Sequence, residues 1–182
     1  MTALKQLELV RISDYLEAER YSPVKHEYVD GHVYAMTGTS KLHNLIVGNL
    51  AGLLRDHLRS GPCQVYISDI KVQAGTRFYY PDVVVTCLPS DDPYVETNPL
   101  LIIEVLSDST ERIDREEKRL AYQLIATLQE YVLVSQDRRK IQLYRRTGEK
   151  GGWELYKLES SLGLASVGLT VLFERVYEGV GV

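Results

Sequence analysis

Two acidic residues stand where the surrounding sequence argues against acid. Glu104 interrupts the apolar run LLIIEVL, at residues 100–106. A strand that is apolar at successive positions is buried on both faces, and an unpaired carboxylate there costs several kcal/mol or takes up a proton. Either an arginine or backbone donors compensate Glu104 as part of the scaffold, or Glu104 belongs to a site. Alternation puts it on one face with Ile102 and Leu106, with Ile103 and Val105 opposite. Asp82 directly follows Pro81 at the head of Val83–Val85, although Asp is disfavoured in strands and Pro cannot donate to a ladder. An Asp at a strand edge can simply fix a turn. If the two strands are neighbours, however, their carboxylates converge, and two carboxylates with an open side for phosphate oxygens are the usual donor set for metal-assisted hydrolysis with Mg²⁺ or Mn²⁺.

Further groups fall at useful spacings. Asp114, Lys118 and Tyr122 are four apart and share a helical face. They form either an ordinary surface pair, worth about 0.2–0.5 kcal/mol, or a cation presented to a site. His43 lies in the first turn of a helix, where the N-terminus attracts anions such as phosphate, though a lone helical His often only packs or caps. Asp69 and Lys71 are polar strand residues able to face the same cleft and receive no assignment. The P-loop, dinucleotide, HExxH and G-x-S-x-G patterns are absent, and His26, His32, His43 and His57 have no zinc spacing.

The elements that must hold these residues follow from periodicity. Ser13 predicts a capped helix from about Asp14 to Arg20, and KHEYVDGHVYAMT predicts a hairpin turning at Asp30-Gly31. Leu42, Leu45, Ile46, Leu50, Leu53, Leu54 and Leu58 predict a helix from Ser40 to Gly61-Pro62. QVYISDIKVQA, RFYYPDVVVTC and PLLIIEVLS read as three strands. SDSTERIDREEKRLAYQLIATL reads as an amphipathic helix offering Ile113, Leu120, Leu124 and Ile125 to the core. Two strands, a further strand WELYKLES and a short element near residues 170–177 complete an α/β order.

The chain has 182 residues, 45% of them hydrophobic, which suits one domain over residues 1–182. Its net charge of −4 excludes a general nucleic-acid coat, so any DNA contact is local. The basic runs from Arg112 to Arg119 and from Arg138 to Arg146 are ordinarily solvated faces. No membrane span and no signal-peptide layout is visible, which predicts a cytoplasmic protein. Cys63 and Cys87 form no CxxC pair and are expected to be reduced, half-buried thiols.

PDVVV followed by PLLIIEVLSDSTERIDREEKRLAYQLIATLQEYVLV resembles the restriction-endonuclease family of the PD-(D/E)XK nuclease superfamily, over about Lys25 to Asp137. The pairing of PD with EVLS, then D-x-x-x-K-x-x-x-Y and EY, carries the likeness. The resemblance implies a restriction-endonuclease-like core, a mixed β-sheet flanked by helices with an N-terminal helix and β-hairpin. It implies Asp82 and Glu104 as metal ligands, Mg²⁺ or Mn²⁺ as cofactor and Glu27 as a third acidic position, while His43 is a substrate-side candidate from its place at a helix N-terminus. Where the superfamily usually has a lysine, this chain has Leu106, and Lys118 is the replacement that the resemblance suggests. The activity implied is metal-dependent hydrolysis of phosphodiester bonds in DNA by a homodimer, since duplex cleavage calls for two sites related by the substrate's symmetry. A nuclease fold that has lost cleavage and binds nucleic acid or a protein, and a paired-carboxylate glycosidase, are the competing readings.

Overall fold

In the computed structural model, which describes residues 9–107, 110–148 and 151–182, the strand that carries Glu104 lies in the middle of a six-stranded sheet. The order is β11 (Gly152–Leu158), β10 (Ile141–Thr147), β9 (Glu130–Ser135), β8 (Leu101–Leu106), β6 (Val83–Thr86) and β3 (Gln64–Ile67). All neighbours are antiparallel except β8 and β9, whose parallel pairing requires a crossover, and the helical segment after β8 provides it. A second sheet runs β2 (His32–Ala35), β1 (His26–Val29), β5 (Arg77–Tyr79), β4 (Lys71–Ala74) and β7 (Val95–Glu96). A small hairpin of β12 (Ser161–Leu164) and β13 (Leu169–Leu172) lies apart from both.

The first two of the three long strands expected from the sequence are in fact two strands each. The chain leaves the large sheet after β3 at Ser68, which adopts φ 54°, and returns to it after β5 at Pro81. The Ser68 N–H donates to the Asp82 carbonyl at 3.0 Å, closing this corner. A proline that cannot continue a ladder is what allows the chain to change sheets. Asp82 therefore sits at the corner just before β6, not within a strand. The Asp30-Gly31 hairpin does form, with φ 48° and 95° at the two turn residues, the conformation that favours glycine at the second.

The helix α1 (Ile12–Glu19) begins at Arg11, not Ser13: Arg11 supplies the extended cap residue, and its guanidinium pairs with Asp14 at 2.8 Å. The helix α2 (Lys41–Leu58) is capped as expected, with Ser40 Oγ accepting from the His43 N–H at 3.1 Å. Its buried face, Ile46, Leu50 and Leu54, packs on Val83, Val85, Ile103 and Val105. The other face of the sheet, with Val84, Ile102, Leu106 and Tyr131, is covered by Ala121, Tyr122 and Ile125 of the crossover. Glu104 belongs to this second face by alternation.

The crossover runs through α3 (Glu111–Ile113), a π-helical turn over Asp114–Lys118, and α4 (Arg119–Gln123). Asp108 and Ser109, at the start of the helix expected here, lie outside the described residues, as does the N-terminal segment 1–8 read for a leader. The helix does not bury the apolar residues that its sequence offers. Leu120 is 56% and Leu124 83% exposed and Ile113 is at the surface, and only Ile125 goes inside. Asp114, Lys118, Ala121 and Tyr122 take the inward face instead. A π turn adds a residue to the turn, and such turns recur at functional sites. A short helix α5 (Phe173–Val176) closes on α2. No described helix is long and apolar enough to cross a membrane.

The cysteines correct the sequence expectation. Gln64 pairs with Thr86 in the β3–β6 ladder, so the next pair outward is Cys63 and Cys87, and they form a disulfide. Antiparallel register brings together thiols that lie 24 positions apart in the chain. Protein purified without reductant should show no titratable thiol after denaturation. Reduction should lower the unfolding free energy by about 3 kcal/mol, measured in urea, as expected for a closed loop of this size. Two thiols titrating in the oxidised preparation would contradict the pairing.

Candidate active site

One step beyond the β6–β8 ladder, where Val83 pairs with Ile103, Asp82 stands opposite Glu104. Residues opposite each other in an antiparallel pair point to the same face. The two are further tied by main-chain donors: the Asp82 N–H reaches Glu104 Oε2 at 3.3 Å and the Val105 N–H reaches Asp82 Oδ2 at 2.7 Å. From the start of α2, His43 Nε2 approaches Asp82 Oδ2 at 3.2 Å. From β1, Glu27 is held by the Tyr80 N–H at 3.2 Å.

Lys118 joins these elements. Its ammonium lies 2.9 Å from Glu27 Oε1, 3.4 Å from Glu104 Oε1 and 3.2 Å from Asp114 Oδ1, and it is only 5% exposed. Asp114 and Lys118 both face inward from the π turn, and the Asp114 carbonyl accepts from Tyr131 Oη at 2.9 Å. Tyr122 Oη donates to Glu104 Oε1 at 3.3 Å. All five side chains expected from the sequence (Glu27, His43, Asp82, Glu104 and Lys118) line one cleft of about 560 Å³, walled by residues 34–40 and the start of the crossover.

The electrostatics of the cluster are unbalanced. Glu27, Glu104 and Asp114 contact the one Lys118 ammonium, and Asp82 adds a fourth carboxyl group beside Glu104. Burial raises the Glu104 carboxyl well above the usual range; Lys118 pulls it down, while Asp114, Asp82 and Glu27 push it up. Burial likewise raises Asp114 against the pull of Lys118. Burial disfavours the Lys118 ammonium, yet Glu104, Asp114 and Glu27 outweigh it and hold the group well above its ordinary value. Lys118 is therefore held in its charged form, and the surplus of negative charge adds to burial in opposing ionisation of Glu104. Among the described residues no three His, Cys, Asp or Glu side chains are arranged to hold a metal ion between them. Two convergent carboxylates with surplus negative charge are nevertheless the hard-oxygen donor chemistry of Mg²⁺, which keeps several of its waters rather than filling an all-protein cage.

Of the unassigned pair, Asp69 is exposed and pairs with Lys25. Lys71 is buried, its Nζ 3.3 Å from Tyr80 Oη, and Tyr80 Oη in turn donates to Glu19 Oε1 at 3.0 Å. Sequence reasoning missed this Lys71–Tyr80–Glu19 support behind Glu27. The polar residues at alternate positions of β4 were its only trace.

A six-stranded mixed sheet with a helical crossover and an acidic cleft at the β6–β8 corner defines a restriction-endonuclease-like fold. The family model for Uma2, described as "Putative restriction endonuclease", matches residues 12–174, and the chain belongs to this family. A Synechocystis sp. protein known as "Uncharacterized protein slr1290" is 40% identical over 92% of this chain and 90% of its own length. A second from the same organism, "Uncharacterized protein sll1609", is 29% identical over 87% and 92%. A crystal structure of an Anabaena variabilis protein, described as a "putative nuclease belonging to DUF820", superposes with a TM-score of 0.77 at 14% identity, covering 94% of this chain and 99% of that one. At that identity the likeness is one of fold.

Lys118 is buried among carboxyl groups and not paired at the surface, so its removal carries a stability cost. Lys118→Met strands three carboxyl groups and should cost about 3–5 kcal/mol near neutral pH in urea unfolding. The loss should shrink toward about pH 5. A carboxyl whose folded pKa is raised stabilises fully below its unfolded value and loses that contribution as pH rises through the folded one. Glu104→Gln should leave stability at about pH 8 unchanged or higher, because it removes a charge that burial opposes. A Lys118→Met protein as stable as the parent at about pH 8 would contradict the buried ion cluster.

Proposed function

We propose that this protein is a metal-dependent nuclease that hydrolyses phosphodiester bonds in DNA. The observation that carries the reading is the buried Lys118 held by three carboxyl groups, with Asp82 beside Glu104, lining one cleft. Family membership supports it.

Asp82 and Glu104 would hold Mg²⁺ or Mn²⁺. Such a cation, when bound, polarises a phosphoryl oxygen and lowers the pKa of a water nucleophile. The Val105 N–H and His43 orient Asp82 from two sides, so its free carboxylate edge is fixed before substrate arrives. Tyr122 and the Asp82 N–H do the same for Glu104. Lys118 supplies a permanent positive charge where negative charge grows on the phosphate, in place of the lysine absent at Leu106, and Asp114 and Glu27 keep its ammonium in position. His43, beside the N-terminus of α2, is placed to approach a phosphate oxygen.

Purified protein incubated with Mn²⁺ and circular DNA, either single-stranded or negatively supercoiled and so locally opened, should cut it, and EDTA should stop the reaction. Asp82→Asn and Glu104→Gln should abolish cleavage while circular dichroism shows the fold retained. Lys118→Ala, assayed where its fold persists, should lose on the order of 10²–10³ in rate. Metal affinity, read by calorimetry, should strengthen as pH rises, because burial raises the Glu104 carboxyl and the ionised form is the one that binds a cation. Cleavage that survives Glu104→Gln at the parental rate would overturn the assignment.

A further inference from the structure

We infer that the strand cut at this site is unpaired: the cleft accepts a single-stranded or locally opened nucleic acid and excludes an intact duplex. The inference rests on the nuclease reading above and specifies its substrate.

Three observations carry it. The first is depth. Glu104, Asp114 and Lys118 are 3%, 2% and 5% exposed, and the consecutive residues 34–40 line the same cleft. A phosphate in an intact duplex is flanked by paired bases on a rigid backbone and cannot be lowered to such a floor. An extended single strand can, and enzymes that work in deep pockets take their nucleotide out of the stack. A volume of about 560 Å³ is that of a small-ligand pocket.

The second is charge. Duplex binding draws its affinity from Lys and Arg contacts to roughly 6–10 phosphates. Among the described residues the only Lys and Arg in the cleft are Lys118 and Arg112, and Lys118 is already engaged by three carboxylates. Glu27, Asp82, Glu104, Asp114 and Glu117 line the same cleft. Affinity for nucleic acid must therefore come from something other than phosphate neutralisation.

The third is what the mouth offers instead. The strand β2 is the outer edge of the five-stranded sheet, and all four of its residues are exposed. His32 and Tyr34 point to the same side by alternation, with ring centroids 6.4 Å apart. Tyr34, 54% exposed, also forms part of the cleft wall, and Met36 follows it inward. An exposed aromatic pair leading to an apolar-and-acidic slot is a stacking platform. Bases reach such a platform only when their faces are free, and stacking tolerates any sequence.

The test compares a circular single-stranded DNA with the same sequence as a relaxed closed duplex, both in Mn²⁺, alongside anisotropy titration of a short labelled oligothymidylate in Ca²⁺ with and without its complement. The single strand should be cut at least tenfold faster and bound at least tenfold more tightly. Tyr34→Ala should weaken oligonucleotide binding and raise KM by about tenfold with kcat little changed, and Tyr34→Trp should restore both. The salt dependence of binding should be shallow, corresponding to one or two neutralised phosphates at a slope of about −0.7 each. A duplex cut as fast as the single strand overturns the inference and leaves the nuclease reading standing. If neither is cut, the nuclease reading fails, and the binding titration then decides this one alone: no preference for the single strand, or no effect of Tyr34→Ala, overturns it.

Discussion

The ion cluster centred on Lys118 is the constraint around which the rest of the architecture is arranged. Placing Glu104 in a central strand with neighbours on both sides removes it from water, and a lone buried carboxylate is not tolerated. The compensating ammonium must come from an element that covers that face of the sheet, and the crossover between β8 and β9 is the segment that does so. Lys118 then draws in Asp114 from its own π turn and Glu27 from β1, so the ion contacts tie the large sheet, the small sheet and the crossover together.

That arrangement opposes stability at the point where chemistry is proposed. Four carboxyl groups against one lysine leave negative charge uncompensated, and replacing a buried ion cluster with apolar side chains is often neutral or stabilising. Its retention makes sense as a poised site, where oxygens and a cation are fixed in advance of substrate so that little reorganisation accompanies reaction. The inward face of the crossover is given over to the cluster, which is why Leu120 and Leu124 are left at the surface.

The chain's change of sheet at Ser68 and Pro81 is the second device. It ends the ladder just where Asp82 must turn from strand to site, and it presents the small sheet's edge strand, with His32 and Tyr34, at the cleft mouth. The same corner supports both the chemistry and the selectivity proposed for it. Behind it, the buried Lys71–Tyr80–Glu19 contacts brace the main-chain N–H that holds Glu27.

The sequence by itself was sufficient for the local features that rest on periodicity and on the expense of a misplaced charge. The Asp30-Gly31 hairpin, the Ser40-capped helix and the face shared by Glu104, Ile102 and Leu106 all follow from short-range rules. So does the likeness of PD, EVLS and D-x-x-x-K to a nuclease family. Only the tertiary structure decided what depends on pairing between distant segments. The union of Cys63 with Cys87 is set by the β3–β6 register, which no spacing reveals. The division of two apparent strands between two sheets needs the Ser68–Asp82 contact. The burial of Lys118 in place of Leu120 and Leu124 reverses the helix's amphipathic pattern, because Glu27 and Glu104, converging from other elements, together with Asp114 of the same turn outweigh the hydrophobic gain of turning those leucines inward.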